Sequence, residues 1–294
     1  MVQSLLDKYN YTTVPTATIV GMLVSFIVAI ALPIVLLIIW KKKSGAKVSM
    51  FFLGALTFIA SALIVESIVN NIIFKLTNNA LTNNIWLYAV VGGIMAGLFE
   101  AVGRYIFMNC FMKGENLCKK NGIMHGIGHG GIESIILIGV AQVSNIATAV
   151  LINSGLFATT LEQSASLLSA DVVEQSIAQT SALWAGDSYL FYLSGIERIS
   201  AIALHISMSY LVYRAVKDKK ITKLFAAIGI HALFDFTAAI LSNFFGAVAT
   251  EIALIAFSAV VSTIVIKAYR SEQEDEPMAA ILMAAENNNN ADEK

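Results

Sequence analysis

Long apolar stretches dominate the chain, at about 16–40, 48–74, 85–112, 121–152, 188–213, 221–244 and 247–267. At about 1.5 Å of rise per residue, a helix of about 20 residues covers the roughly 30 Å hydrocarbon layer of a bilayer. Membrane β-strands would show segments of about ten alternating residues, and none are visible. The pattern predicts an all-α, polytopic membrane bundle of about seven transmembrane helices. The first stretch ends in Trp40 and a lysine cluster, the signature of an interface anchor. Pro33 is placed to kink that helix.

Charge gives the bundle a direction. Lys41, Lys42, Lys43 and Lys47 follow the first stretch; Lys113, Lys119 and Lys120 follow the third. Arg214, Lys217, Lys219, Lys220 and Lys223 follow the fifth, and Lys267, Arg270 and Lys294 follow the seventh. The alternate connections hold only Lys8 and Lys75. The positive-inside rule then predicts an outer N-terminus and a cytosolic C-terminus. Residues 153–187 form a long outer loop in which Leu161, Ala165, Leu168, Val172 and Val173 recur at helical spacing. That spacing predicts a surface-lying helix over the bundle. Residues 1–270 read as one transmembrane domain, and 271–294 as an acidic, Asn-rich, disordered cytosolic tail.

Composition agrees. Of 294 residues, 57% are apolar and 13% charged, with mean hydropathy +0.74. A formal charge of -1 supplies no field for nucleic acid. Cys110 and Cys118 form neither a CxxC pair nor a disulfide framework and read as free thiols.

Polar groups inside the apolar stretches carry the chemistry, because a charge in hydrocarbon costs about 2.5–3.5 kcal/mol even on lenient insertion scales. Glu66, Glu100, Arg104, Glu133, Glu197, Arg198 and Asp235 fall there, as do all four histidines, His125, His129, His205 and His231. Counted from the basic loops, Glu100, His129, Glu133, His205, His231 and Asp235 lie at a shared depth of about 12–20 Å. Glu100 and Arg104 are i,i+4 on one helix face; so are His125, His129 and Glu133, and His231 and Asp235. Two ligands at i,i+4 can grip one metal, and a set of imidazoles and carboxylates suits Zn²⁺. On this reading His129, His205 and His231 share a metal site. Glu133 is either a further ligand or a group that orients a histidine, and His125 is a helix-packing residue. Glycines 122–131 allow close helix approach and also fit a thin-walled cytosolic mouth to the site.

Four stretches carry a resemblance. Gly97-Leu98-Phe99-Glu100-Ala101-Val102-Gly103-Arg104-Tyr105 resembles the first motif of the YhfC-like intramembrane metalloproteases. His125-Gly126-Ile127-Gly128-His129-Gly130-Gly131-Ile132-Glu133 resembles their second. Glu197-Arg198 with His205, then His231-Ala232-Leu233-Phe234-Asp235, resemble the later ones in order. That family is grouped with type II CAAX prenyl proteases, PrsW-like proteases and the Aph subunits of γ-secretase. The resemblance implies that Glu100 activates water, that His129, His205 and His231 bind zinc, and that Asp235 lies near the metal. The family's first motif usually has two adjacent glutamates, and here the second is Ala101. If Glu100 is the catalytic one, activity survives; if not, the chain is a scaffold like the Aph branch.

The expected function is zinc-dependent hydrolysis of a peptide bond in a membrane-protein or membrane-associated peptide substrate. Arg104 would hold Glu100 or carry developing negative charge. The setting is the lipid of a bacterial cytoplasmic membrane, and the oligomeric state is open. The alternatives are an inactive scaffold or binding protein of the same fold, and an ion-coupled transporter, against which there is no inverted repeat.

Overall fold

A computed structural model describes residues 1–77, 80, 81, 83–165 and 167–272. The described residues form helices and their connections. In chain order these are α1 (Val2–Lys8), α2 (Thr16–Ser44), α3 (Val48–Leu76), α4 (Ile85–Phe111), α5 (Lys119–Asn153), α6 (Leu156–Ala165), α7 (Ala170–Thr180), α8 (Ala182–Ala185), α9 (Tyr189–Lys217) and α10 (Thr222–Ser271). Six of them, α2, α3, α4, α5, α9 and α10, are long and apolar enough to cross a membrane. From 273 onward the expected tail lies outside the described residues.

Local chemistry sets the helix ends. Pro15 precedes α2 with an extended ψ of 143°, and Gly45 stops it at φ 67°, returning its N–H to the carbonyl of Lys41. Lys41, Lys42 and Lys43 occupy the last turn, where the helix dipole favours cations. Asn84 starts α4 by accepting from the N–H groups of Trp86 and Leu87. Two stretches widen to π-helix, Ile59–Glu66 within α3 and Ile135–Val140 within α5. Neither was visible in the hydrophobic pattern.

Helix α10 has 50 residues, which as one rod would be about 75 Å long. It breaks at Gly246, whose φ of 78° and ψ of 174° only glycine adopts readily. The two segments, 222–245 and 247–271, form a hairpin. The second returns along α9: Ser258 donates to the carbonyl of Ser200 at 2.9 Å, Ser262 meets Ser207 at 3.3 Å, and Glu272 reaches Lys217 at 3.1 Å. The break falls between the stretches read from sequence as 221–244 and 247–267.

The basic connections gather at one end. Trp40 donates to the carbonyl of Lys120, Lys47 pairs with Asn116 and Asn121, and Lys119 reaches the carbonyl of Glu272. Burial would raise the Glu272 carboxyl, but hydrogen bonds from Tyr213, Tyr210 and Lys217 outweigh it and hold it below the usual range.

The opposite end carries a roof. The 153–187 segment is three helices, α6 to α8, where one was expected, because Ser169 caps a new start by accepting from Val172 N–H. Val173 and Ile177 are buried with Leu6, Val14, Leu183 and Trp184, and Leu161 and Ala165 pack against them. Leu168 and Val172 of the expected stripe are exposed. Trp184 donates to the carbonyl of Tyr9, and Lys8 pairs with Glu174 at 2.5 Å.

Candidate metal centre

Close glycine packing brings the site helices together. A Cβ at Gly54 of α3 would lie 2.0 Å from the carbonyl oxygen of His125, and one at Gly128 of α5 1.9 Å from that of Phe51. On the other side of α5, Gly130 lies against the Cβ of His205. This contact corrects the expected mouth: residues 121–131 are buried, and their glycines seal helix on helix.

The focus of the site is one oxygen, Glu100 Oε2. Arg104 Nη2 lies 3.1 Å from it, His129 Nε2 3.0 Å, His205 Nδ1 3.6 Å and His231 Nδ1 3.7 Å. Four helices thus converge, α4 with Glu100 and Arg104, α5 with His129, α9 with His205 and α10 with His231. All five side chains are buried, Arg104 and His129 completely.

Two histidines share one arrangement. His205 turns Nδ1 to the centre and sets Nε2 2.5 Å from Glu133 Oε2. Nδ1 also lies 2.7 Å from Arg104 Nη2. A guanidinium only donates, so Nδ1 accepts and the ring proton sits on Nε2, facing Glu133. His231 likewise turns Nδ1 to the centre and backs Nε2 with Asp235 at 3.4 Å. Glu133 continues outward to Arg198 Nη1 at 3.1 Å, and Arg198 also pairs with Glu197. A chain of charge therefore runs Glu100, Arg104, His205, Glu133, Arg198, Glu197.

His125 stands apart from the centre, bonded to Thr57 at 3.1 Å and to Ser209 at 3.4 Å. It is a packing residue, as read from its position. Glu66 accepts from Asn70 and lines a cavity of about 590 Å³ with Glu197, Asp235 and Glu251. Sequence reasoning did not single out Glu251; an acidic residue near the start of an apolar stretch was the available signal.

The ligand atoms of Glu100, His205 and His231 lie within 4.8 Å of one another. One carboxylate and two imidazoles are a donor set that zinc accepts. The Nδ1 of His231 is buried with no hydrogen-bond partner, a cost that a bound cation removes. The residues therefore fit a metal ion. An ion held there would take the Nδ1 lone pair of His205 that now accepts from Arg104 Nη2.

Comparison with known proteins gives the same direction. The family described as YhfC intramembrane metalloprotease matches residues 28–280. A relative in Bacillus subtilis (strain 168), described as an uncharacterized membrane protein YhfC, is 39% identical over 220 residues, covering 74% of this chain and 82% of its own. No solved structure matches.

Proposed function

The chain belongs to the YhfC intramembrane metalloprotease family, and from that premise we propose that it is a metal-dependent endopeptidase cutting a membrane-associated substrate within the bilayer. The observation that carries this reading is the buried Glu100, His205 and His231 cluster. Those three residues would hold the ion, with Glu133 and Asp235 orienting the two imidazoles from behind. Zinc, when bound, supplies Lewis acidity toward a carbonyl and lowers the pKa of water.

The chain's own groups do the rest. Through the carboxylate oxygen not given to the ion, Glu100 takes the proton of the attacking water and passes it to the leaving amine. His129 Nε2 steadies that carboxylate from 3.0 Å. Arg104, dry and cationic, offsets negative charge developing on the carbonyl oxygen. The helices exclude bulk water, which strengthens each of these interactions.

We read the α10 hairpin as two crossings, giving seven in all. The basic end then faces the cytosol and the roof faces outward. By analogy with the Bacillus relative, the setting is a bacterial cytoplasmic membrane.

A second reading rests on Arg104. Its guanidinium touches both Glu100 and His205 Nδ1, so it already supplies a cation at the centre. Glu100 and His129 would then activate water without a metal.

The test is elemental analysis of the purified protein beside cleavage of a membrane-spanning peptide pool in proteoliposomes. We expect about one zinc per chain, lost in His205→Ala with His231→Ala, and cleavage reduced about 10²–10⁴-fold in Glu100→Gln. Glu100-dependent cleavage in zinc-free protein selects the second reading. Cleavage indifferent to Glu100→Gln overturns both.

A further inference from the structure

The cavity of about 590 Å³ lies at the roof end of the site, between the second half of α3, the start of α4 and the α10 hairpin. It adjoins the metal centre through Asp235, which lines it and also contacts His231 Nε2 at 3.4 Å. Its volume is that of a ligand pocket, large enough for several side chains.

The walls are mostly apolar and small, with Gly92, Gly93, Ala238 and Ala239 among them. Set into them are four carboxylates, Glu66, Glu197, Asp235 and Glu251. Glu197 is paired with Arg198, and Glu66 has only the Asn70 amide. Glu251 Oε2 is shielded from solvent and has no hydrogen-bond partner. Among the described residues of the membrane-spanning helices, Arg104 pairs with Glu100 and Arg198 with Glu133 and Glu197, while the histidines meet Glu100, Glu133 and Asp235. Glu100 and Glu133 are buried and the four cavity carboxylates half-buried, and a cation held at the Glu100 centre would leave the acid of the cavity uncompensated.

One wall is built to yield. Residues Ser67–Leu76 of α3 contribute Asn70, Ile73 and Phe74 to the cavity, yet none of that segment is buried. It follows directly on the π-helical stretch Ile59–Glu66. A weakly packed wall beside lipid gives a membrane-spanning chain a sideways path into the cavity.

We infer that this cavity is a substrate subsite that takes a lysine or arginine side chain of a membrane-spanning peptide, held by Glu66, Glu197, Asp235 and Glu251 on the roof side of the scissile bond. The inference rests on the proposed hydrolase reading for its place beside the reacting bond. The recognition itself is binding and is measurable without turnover.

The probe is a polyleucine membrane-spanning peptide with a photo-crosslinker, carrying lysine, norleucine or glutamate at one roof-side position. It is bound to full-length Glu100→Gln protein in proteoliposomes. We expect the lysine peptide to bind about tenfold tighter than norleucine and to crosslink to 66–74 or 247–254. Glu66→Gln with Glu251→Gln should reduce that preference to about threefold or less, and Glu251→Lys should move it toward the glutamate peptide. Failure of lysine to bind above norleucine overturns the subsite, as does a lysine preference that Glu251→Lys leaves in place. Stoichiometric Mn²⁺ binding lost in Glu251→Gln, with no lysine preference, overturns it in favour of a metal site. Wild-type cleavage without lysine preference leaves the hydrolase standing and removes the subsite. Lysine-selective binding without cleavage does the reverse.

Discussion

His205 and Glu133 meet at 2.5 Å, Nε2 to Oε2, on helices α9 and α5. Glu133 Oε1 simultaneously receives Arg198 at 3.1 Å. The carboxylate therefore lies against a ring with one oxygen and accepts from a guanidinium with the other, and all three side chains are largely buried. Removing it by Glu133→Ala takes the acceptor from His205 and leaves Arg198 with Glu197 alone, and we expect a loss of about 1–3 kcal/mol, read as a lowered unfolding temperature in detergent. Glu133→Gln keeps the volume and one acceptor. It should fold, yet lose about 10–100-fold in metal affinity or cleavage, because the imidazole loses its charged support.

Arg104 is enclosed completely and reaches Glu100 and His205 with the same nitrogen. Arg104→Lys keeps the charge but not the planar fork. It should reduce cleavage at least about tenfold while leaving more folded protein than Arg104→Ala, measured by turnover and by size-exclusion recovery.

Packing between α3 and α5 leaves no room at Gly128, where an added methyl meets the backbone oxygen of Phe51 at 1.9 Å. Backbone cannot rotate away, so Gly128→Ala should cost about 1–3 kcal/mol or more. Gly229 has nothing within 4 Å, and Gly229→Ala should be neutral or gain about 0.5–1 kcal/mol from helix propensity. Thermal unfolding of the two variants side by side checks the contrast.

The roof latch should respond to acid. Lys8 donates to Glu174 and holds that carboxyl below its usual range, while the same bond raises Lys8. A lowered carboxyl contributes above its unfolded value of about 4.3 and loses that contribution as pH falls through the lower folded value. The raised lysine is charged throughout this window. Trp184 donates to Tyr9 beside the latch, so the fluorine resonance of 5-fluorotryptophan at 184 should titrate below about pH 4.3 in wild type. The titration should disappear in Glu174→Gln.

Much of this was legible from spacing. Glu100 with Arg104 and His231 with Asp235 are i,i+4 pairs that the structure closes at 3.1 and 3.4 Å. The depth count placed Glu100, His129, Glu133, His205, His231 and Asp235 in one layer; the three histidines gather at Glu100 Oε2, Glu133 and Asp235 stand behind His205 and His231, and Glu100 rather than His129 joins His205 and His231 as a candidate ligand. Spacing fixes a face but not the neighbour it meets. His125 shares a face with His129, yet the rotation of α5 gives it to Thr57 and Ser209. Glycines 122–131 announce close approach, which serves a cleft and a seal equally well, and only the facing backbones of Phe51 and Ile206 decide for the seal. The π-helical stretches depend on local hydrogen-bond geometry that no hydrophobic period encodes.

Gly246 turns the chain with a single residue, between the exposed side chains of Phe244 and Phe245 and the start of the returning segment. Nothing there is long enough to carry an epitope tag, or to be clipped by a protease working from the water. If the hairpin crosses twice, as proposed, a survey of accessible loops would pass over the reversal, tally six passages, and assign both chain ends to one compartment. The first and last described segments lie at opposite poles of the bundle, Lys8 beside Glu174 and Glu272 beside Lys217. Reporters fused at either terminus should consequently give opposite readings, whichever way the protein is inserted.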